Sequence, residues 1–456
     1  MTVPTPSTAD RKPKLASLQW RVAVLTWVSY ASYYLTRKHF SVAKSRLQGE
    51  FGLSEAALGA IDTAYLGLYA VGQFVNGALG DRVGARRMIG VGMLASAATS
   101  VVMGFGTTTT LFLVCFGLNG LFQSTGWPNN VKAMTPWFSA KSRGKVMGLW
   151  CTCYQVGGIA ATALATTLLV TLGWRWAFRV PGAWVAGIGA IVLLFLVERP
   201  QDRGLPPVDP PAGADGPAAS SDGGADETSA EDGEANAGDG AGDDGESEAS
   251  AAERTGFSAM IRKPVVWSLG LAYFGLKLIR YSLLFWLPYY LTQIGYDEGT
   301  AGYLSTAFEA GGIAGAIGVG WLSDKRFPGA RARLLVPMLI ALAGALGVYR
   351  LVGEAGIVAN ATSMALVGFL LFGPDALISG AAAQDVGGGA SAASAAGIIN
   401  GVGSIGAMLQ AFVTVGVHQT WGWGALFYVF IGLALFSASA LVPMALREGA
   451  RARSQQ

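Results

Sequence analysis

The residues most able to do chemistry in this chain are cations set inside apolar runs. Arg280 follows the apolar stretch that begins at Val265 and precedes Tyr281-Ser282-Leu283-Leu284-Phe285-Trp286-Leu287, so it falls well inside a segment long enough to cross a bilayer. A central arginine costs roughly 2.5–3.5 kcal/mol on insertion scales, so such a residue faces a wet cavity or a partner. Lys277 lies three residues earlier, on the same helical face. Two cations on one face suit an anion better than an ion pair. Arg37 stands 243 residues before Arg280, within Tyr33-Tyr34-Leu35-Thr36-Arg37-Lys38. Two guanidiniums can each grip an oxyanion through paired N–H donors, and phosphate geometry fits that fork. They repel one another until an anion arrives, so the ligand can bridge them. Taken alone, Arg37, Lys38, Lys44 and Arg46 also read as an exposed outer loop; the offset to Arg280 moves Arg37 into the cavity.

The elements that must hold these cations follow from composition. Of 456 residues, 52% are hydrophobic and 13% charged, and mean hydropathy is +0.42. A soluble domain carries about 25% charge. The apolar content recurs in runs of about 20 residues, the length that crosses a hydrocarbon core. An ordinary cytosolic enzyme, a nucleic-acid binder and a disulfide-rich secreted module are excluded, leaving an all-α membrane protein. Apolar runs and polar breaks predict twelve spans: about 18–47, 55–79, 87–106, 109–133, 144–171 and 175–197, then 264–293, 299–322, 332–351, 357–383, 391–417 and 422–446. The corresponding organisation is a tail over 1–17, a six-helix bundle over 18–199, a linker over 200–262, a second bundle over 263–446 and a tail over 447–456.

Net charge is +3, but 14 of the 29 acidic residues lie between Arg203 and Arg254, where there is no Lys or Arg. That Ala/Gly/Asp/Glu/Ser-rich stretch cannot bury enough surface to order itself and reads as a disordered cytoplasmic linker or a docking tail. The bases elsewhere cluster in short loops on one side, among them Arg82, Arg86, Lys141, Arg143, Arg262, Lys325 and Arg331. By the positive-inside rule both termini are cytoplasmic and the protein sits in the inner (plasma) membrane. No cleaved signal is evident at the N-terminus. Cys115, Cys151 and Cys153 read as packing residues, with no metal or disulfide framework.

The two halves repeat. Gly77-Ala78-Leu79-Gly80-Asp81-Arg82 matches Gly320-Trp321-Leu322-Ser323-Asp324-Lys325, Val156-Gly157-Gly158-Ile159 matches Val402-Gly403-Ser404-Ile405, and Gly173-Trp174 matches Gly422-Trp423. The offset drifts from 243 to 249 residues, as a duplication predicts. Parallel repeats of this kind belong to transporters whose site lies between the halves near the midplane. Asp81, Arg82, Asp324 and Lys325 then cap helices and gate the inward face.

On these residues the chain resembles the organophosphate:phosphate antiporters of the major facilitator superfamily, which include glycerol-3-phosphate and hexose-phosphate transporters. The specific pieces are the Tyr33–Lys38 segment, Gly126-Trp127-Pro128 with Trp137-Phe138-Ser139 and Arg143-Gly144, and Leu278-Ile279-Arg280-Tyr281 with Trp286 and Pro288. The resemblance implies a major facilitator fold and a rocker-switch exchanger in which Arg37 and Arg280 clamp a phosphoryl group. It implies Lys38 and Tyr69 near that group, and Tyr34, Trp127 and Tyr154 along the cavity. Family members usually carry lysine where this chain has Gln73, the glycerol-3-phosphate type carries histidine where it has Tyr154, and Lys277 replaces what is often an apolar or aromatic residue. The cations are kept but relocated.

The expected function is exchange of a phosphorylated organic anion, of sugar phosphate, glycerol phosphate or phosphoglycerate type, for inorganic phosphate by a monomeric secondary transporter in the lipid bilayer, with no cofactor, enzymatic step or nucleic acid. Two other readings stay open. Asp62, Glu309 and Asp375 inside spans could serve a proton-coupled organic-anion carrier, with Glu309 alternatively pairing with a cavity cation or a substrate hydroxyl. The acidic linker could instead dock a kinase to a membrane sensor of a phosphorylated metabolite. Gly311-Gly312 and Gly387-Gly388-Gly389 lack the strand and Gly-Lys-Ser/Thr of a phosphate loop and read as close helix packing. His39 and His418 are read near the outer face, with no hydrolytic set.

Overall fold

The computed structural model describes residues 8–139, 146–147, 149–208, 260–327 and 330–454. The bulk of the expected linker (209–259) and the loop bases Lys141, Arg143 and Lys145 lie outside them, as does the side chain of Asp81. Within the described residues the structure is helical, without strands.

The first half comprises α1 (Thr8–Tyr33), α2 (Leu35–Phe51), α3 (Glu55–Val83), α4 (Ala85–Met103), α5 (Thr109–Gln123), α6 (Gly126–Met134), α7 (Cys153–Leu172) and α8 (Trp174–Phe195). The second comprises α9 (Pro264–Gln293), α10 (Glu298–Arg326), α11 (Ala332–Val352), α12 (Ile357–Ala376), a π-turn at Leu377–Ala382, and α13 (Ala383–Ser454). Helical bonding persists along the 72 residues of α13, yet the chain reverses twice within it. Asp375 meets Arg280, Val386 meets Lys263 and Asn400 meets Lys277, so the direction changes near Val386. The second reversal is at Gly422, whose φ of +80° is accessible mainly to glycine. Before it, residues such as Val402 and Thr414 run along α9 beside Gly270 and Ser282; after it, Leu433 and Ser437 return to Gly275.

Duplication is visible in the backbone. Gly422 has its counterpart in Gly173 (φ +90°), and Gly295 (φ +104°) has Gly52 (φ +65°), 243 residues earlier. All four close turns at one end of the bundle, the end away from the termini. Close helix contacts repeat likewise: a Cβ on Gly120 would strike the backbone carbonyl of Tyr65, and one on Gly368 would strike that of Phe308. Here the helix backbones touch because no side chain intervenes.

Among the described residues, five helical segments are apolar and long enough to cross a membrane on composition alone: Cys153–Leu172, Trp174–Phe195, Ala332–Val352, Ile357–Gly380 and Ala395–Ala450. The others carry the buried cations Arg37, Lys38, Lys44 and Lys277 and the carboxylates Asp62 and Glu309, so their polar content is turned inward. The halves meet along α7 against α10, α2 against α9, and α3 against α13. One buried cluster occupies the second half; the first half has two, of which one extends across the interface to Leu284, Phe285, Trp286, Tyr289 and Val415. Before residue 209, Pro200–Arg203 forms a 3₁₀ turn with Pro200 and Leu205 buried, so this part of the expected linker is folded.

The glycine contacts predict an asymmetry in thermal unfolding of the detergent-purified protein. Gly120→Ala and Gly368→Ala should each destabilise by about 1–3 kcal/mol through overpacking. Gly344→Ala, with nothing within 4 Å of the added Cβ, should be neutral or stabilising. Equal effects at all three positions would count against these close contacts.

Candidate functional site

Interruptions of the spans cluster where the charged residues lie. The first span breaks at Tyr34, whose N–H bonds back to Ala31 (3.1 Å) in a 3₁₀-like step. The fourth breaks at Ser124–Thr125, between α5 and α6. Two kinked spans thus meet, and side chains close the gap. Asn119 Nδ2 donates to the Thr36 carbonyl (2.6 Å), and Gln123 Nε2 donates to the Thr36 hydroxyl (3.0 Å). Gln123 Oε1 in turn accepts from Arg37 Nε (3.1 Å) and Tyr65 Oη (2.8 Å). The guanidinium of Arg37 sits 4.6 Å from the Tyr34 ring centroid and 5.2 Å from that of Tyr69, and its buried Nη2 has no hydrogen-bond partner. Aromatic faces attract the cation without consuming its donors.

Arg280 lies near the midpoint of α9. Its Nη1 donates to Asp375 Oδ2 at 2.8 Å, and the guanidinium stands 4.7 Å from the Phe372 ring. Its buried Nε has no partner. Asp375 is placed by a local defect: Pro374 lacks an N–H, and the helix continues as the π-turn Leu377–Ala382. Lys277, one turn from Arg280, bonds Asn400 Oδ1 (2.7 Å) and Ser404 Oγ (3.3 Å). The charges of Arg37 and Arg280, one from each half, both reach Tyr34 and Lys38.

Lys38 joins the halves. It pairs with Glu309 at 3.4 Å and donates to the Leu284 carbonyl at 3.1 Å. That carbonyl is available because the residue four positions on is Pro288, which has no N–H to offer it. Ser41 also donates to Leu284 (3.3 Å) and to Phe285 (2.8 Å), and Lys44 donates to Phe285 (3.0 Å). Further out, Ser45 meets Thr292, Arg46 grips Glu298 (2.7 Å), and Tyr289 donates to Gln48 and Glu55. These ties run from the midplane to the end away from the termini.

The remaining sequence candidates divide. Trp127 and Tyr154 pack with Tyr30 and Trp150 in an aromatic box, with Tyr154 at 6.3 Å from Tyr34. Gln73 lies half-buried one turn beyond Tyr69 on α3. Arg82 is exposed in the last turn of α3, Asp324 pairs with Arg331 of its own half (3.1 Å), and Lys325 stacks on Trp321 at 4.7 Å. His39 differs from the outer position expected: it is fully buried in α2, 4.3 Å from the ring of Phe178. His418 pairs with Glu55 at 3.1 Å.

Lys44 is the main residue the sequence did not resolve. It is fully buried, pairs with Asp62 at 2.5 Å and lies 3.7 Å from the Trp286 ring. Its neighbours Ser45, Arg46 and Gln48 are polar, so the local pattern resembles a loop; the pairing with Asp62 comes from another helix. Gln123 and Asn119 were also missed, although two amides one turn apart in an apolar run are a readable signal.

At membrane depth the described residues therefore hold five cations (Arg37, Lys38, Lys44, Lys277, Arg280) and three carboxylates (Asp62, Glu309, Asp375), a formal excess of two. Each carboxylate is paired with a cation. Breaking one partner of a buried pair leaves an uncompensated charge. Lys44→Met should destabilise by about 3–5 kcal/mol. Lys44→Met/Asp62→Leu should recover most of that in the same unfolding assay; an additive double variant would exclude the pairing.

The match to known proteins agrees with this architecture. Residues 26–411 match the Major Facilitator Superfamily. The chain is 32% identical to putative glycerol-3-phosphate transporter 1 of Arabidopsis thaliana, covering 96% of this chain and 90% of that one. It is 32% identical to the glucose-6-phosphate exchanger SLC37A2 of Mus musculus (94% and 92% covered) and 34% identical to sugar phosphate exchanger 3 of Gallus gallus (94% and 92%). The fold is similar, with a TM-score of 0.66 and 17% identity, to an inward-facing, unoccupied bacterial homologue of the human lysosomal transporter Spinster, covering 95% of this chain and 96% of that one. With two repeated helical bundles, charge gathered between them and relatives aligned along nearly the full length, the chain belongs to the major facilitator superfamily and is a multi-pass membrane protein.

Proposed function

We propose that this protein exchanges a phosphorylated organic anion for inorganic phosphate by alternating access, with Arg37 and Arg280 holding the phosphoryl group. The observation that carries the reading is the unpartnered pair of buried guanidinium N–H groups, Arg37 Nη2 and Arg280 Nε, among membrane-depth groups with two excess positive charges. Oxyanion ligation satisfies both donors and compensates the charge, and phosphate presents oxygens enough to engage both halves at once. The names of the relatives, transporters and exchangers of glycerol phosphate and sugar phosphates, support that substrate class.

The ties between halves from Lys38 outward make this the inward-facing state, if the basic loops are placed in the cytoplasm as the positive-inside rule directs. A ligand that bridges Arg37 and Arg280 favours closure of the opposite side, because it adds an inter-half contact only when the halves approach. Inorganic phosphate resets the cations on the return stroke, so exchange needs no proton carrier. The pairing of Asp62, Glu309 and Asp375 with cations also favours exchange over proton coupling. By the same topology the protein belongs in the plasma membrane with both termini cytoplasmic, acting as a monomer, while Arg82, Asp324 and Lys325 close the inward face together with Asp81.

Proteoliposomes loaded with phosphate test this directly. Wild-type protein should exchange internal for external labelled phosphate and accept phosphorylated organic anions. Arg37→Lys and Arg280→Lys keep the charge but lose the fork, and each should lower exchange by roughly 100-fold, the value of a charged hydrogen-bond pair. Normal exchange by either variant would overturn the clamp.

A further inference from the structure

Three of the five membrane-depth cations have carboxylate partners; Arg37 and Lys277 do not. Arg37 belongs to the phosphoryl clamp. Lys277 is 7% exposed, yet among the described residues it forms no ion pair. Asp375 acts on it only from beyond ion-pair distance, its Oδ2 being committed to Arg280. The two acceptors that Lys277 does meet, Asn400 Oδ1 and Ser404 Oγ, are neutral. An ammonium carries three donors, so one remains. A neutral pair of acceptors orients the charge without cancelling it.

Position fixes what that charge can reach. Lys277 precedes Arg280 by three residues on the same face of α9, a rise of about 4.5 Å. It lies on the side of Arg280 toward the chain termini, the open side of the inward-facing state. Asn400 is exposed although it lies at the depth of Lys277, and an amide at that depth faces water rather than lipid. An anion clamped at Arg280 would therefore extend any second group past Lys277.

We propose that Lys277, with Asn400 and Ser404, forms a second anion subsite, and that the preferred organic substrate carries a second anionic group, a carboxylate, a short carbon chain away from its phosphate. This rests on the phosphoryl-binding reading above and narrows it to phosphorylated carboxylic acids. Phosphorylated alcohols and sugars would fill the clamp but leave Lys277 without a counter-charge. The two open cations, one in each half, then both find partners only in a ligand with charge at both ends.

Titration calorimetry on the full-length protein in detergent can test the subsite with 3-phosphoglycerate and glycerol-3-phosphate, which differ by a carboxylate in place of a hydroxymethyl group. Wild-type protein should bind the acid about tenfold more tightly, on the scale of one charged hydrogen bond. Lys277→Arg should keep the preference. Lys277→Gln should reduce it to within about twofold, and so should Asn400→Asp, which supplies the counter-charge internally. Equal binding by wild type, or a ratio unchanged in both neutralising variants, would overturn the subsite. The readout is independent of flux: preference for the acid without phosphate exchange in liposomes keeps the subsite and removes the antiport reading, whereas exchange with equal affinities does the reverse.

Discussion

Five cations at membrane depth, four of them buried and Arg280 nearly so, are the constraint on which this structure depends. Moving a charge into a low-dielectric environment is costly, and each must find an opposite charge, a cluster of acceptors or water. The protein meets this demand unevenly. Lys44, Lys38 and Arg280 receive carboxylates from other helices, whereas Arg37 and Lys277 receive neutral acceptors and aromatic faces. The uneven treatment leaves an excess of positive charge between the two bundles. A fully paired set would be a structural core; an unpaired one would strain the fold.

Backbone defects make the arrangement possible. A regular helix uses its carbonyls internally, and a span with none to spare cannot bond across an interface in lipid. Pro288 releases the Leu284 carbonyl, and Lys38 and Ser41 of the other half take it. Pro374 and the π-turn after it set Asp375 beside Arg280, while the break at Tyr34 sits immediately before Arg37. Irregular backbone is tolerated at this depth where it is buried in protein or lines a cavity. The ion pair of Lys38 with Glu309 spans the two halves at the same level, so the contacts that hold the closed end begin where the ligand would sit. On the proposed reading, substrate binding and gate strength are set by the same few residues.

Much of this was legible before coordinates. Arg280 between two apolar stretches is an intramembrane cation by position alone, and the offset shared by Asp81 with Asp324 and Arg37 with Arg280 identifies the duplication. The turn glycines follow the same register, because a short connection between antiparallel spans needs a positive φ at a fixed place. Less legible was anything that depends on a partner. Asp62 and Asp375 read as a proton-carrier signal, and Glu309 as that or as the partner of a cation; only the approach of Lys44, Lys38 and Arg280 turns all three into counter-ions. His39 reads as lying near the outer face, yet the helix carries it into the aromatic core.

By itself the amino-acid sequence determined the class and the twelve-span duplicated plan, and it singled out Arg37 and Arg280 as candidates, because apolar run length, loop charge and repeat offset are properties of residues along the chain. Tertiary structure decided which charges are spent and which are open. Burial alone does not distinguish Lys44 from Lys277, since both are cations within spans. What separates them is whether a carboxylate from another helix comes within ion-pair distance, and that follows from helix packing set by glycine contacts and proline breaks far away in the chain.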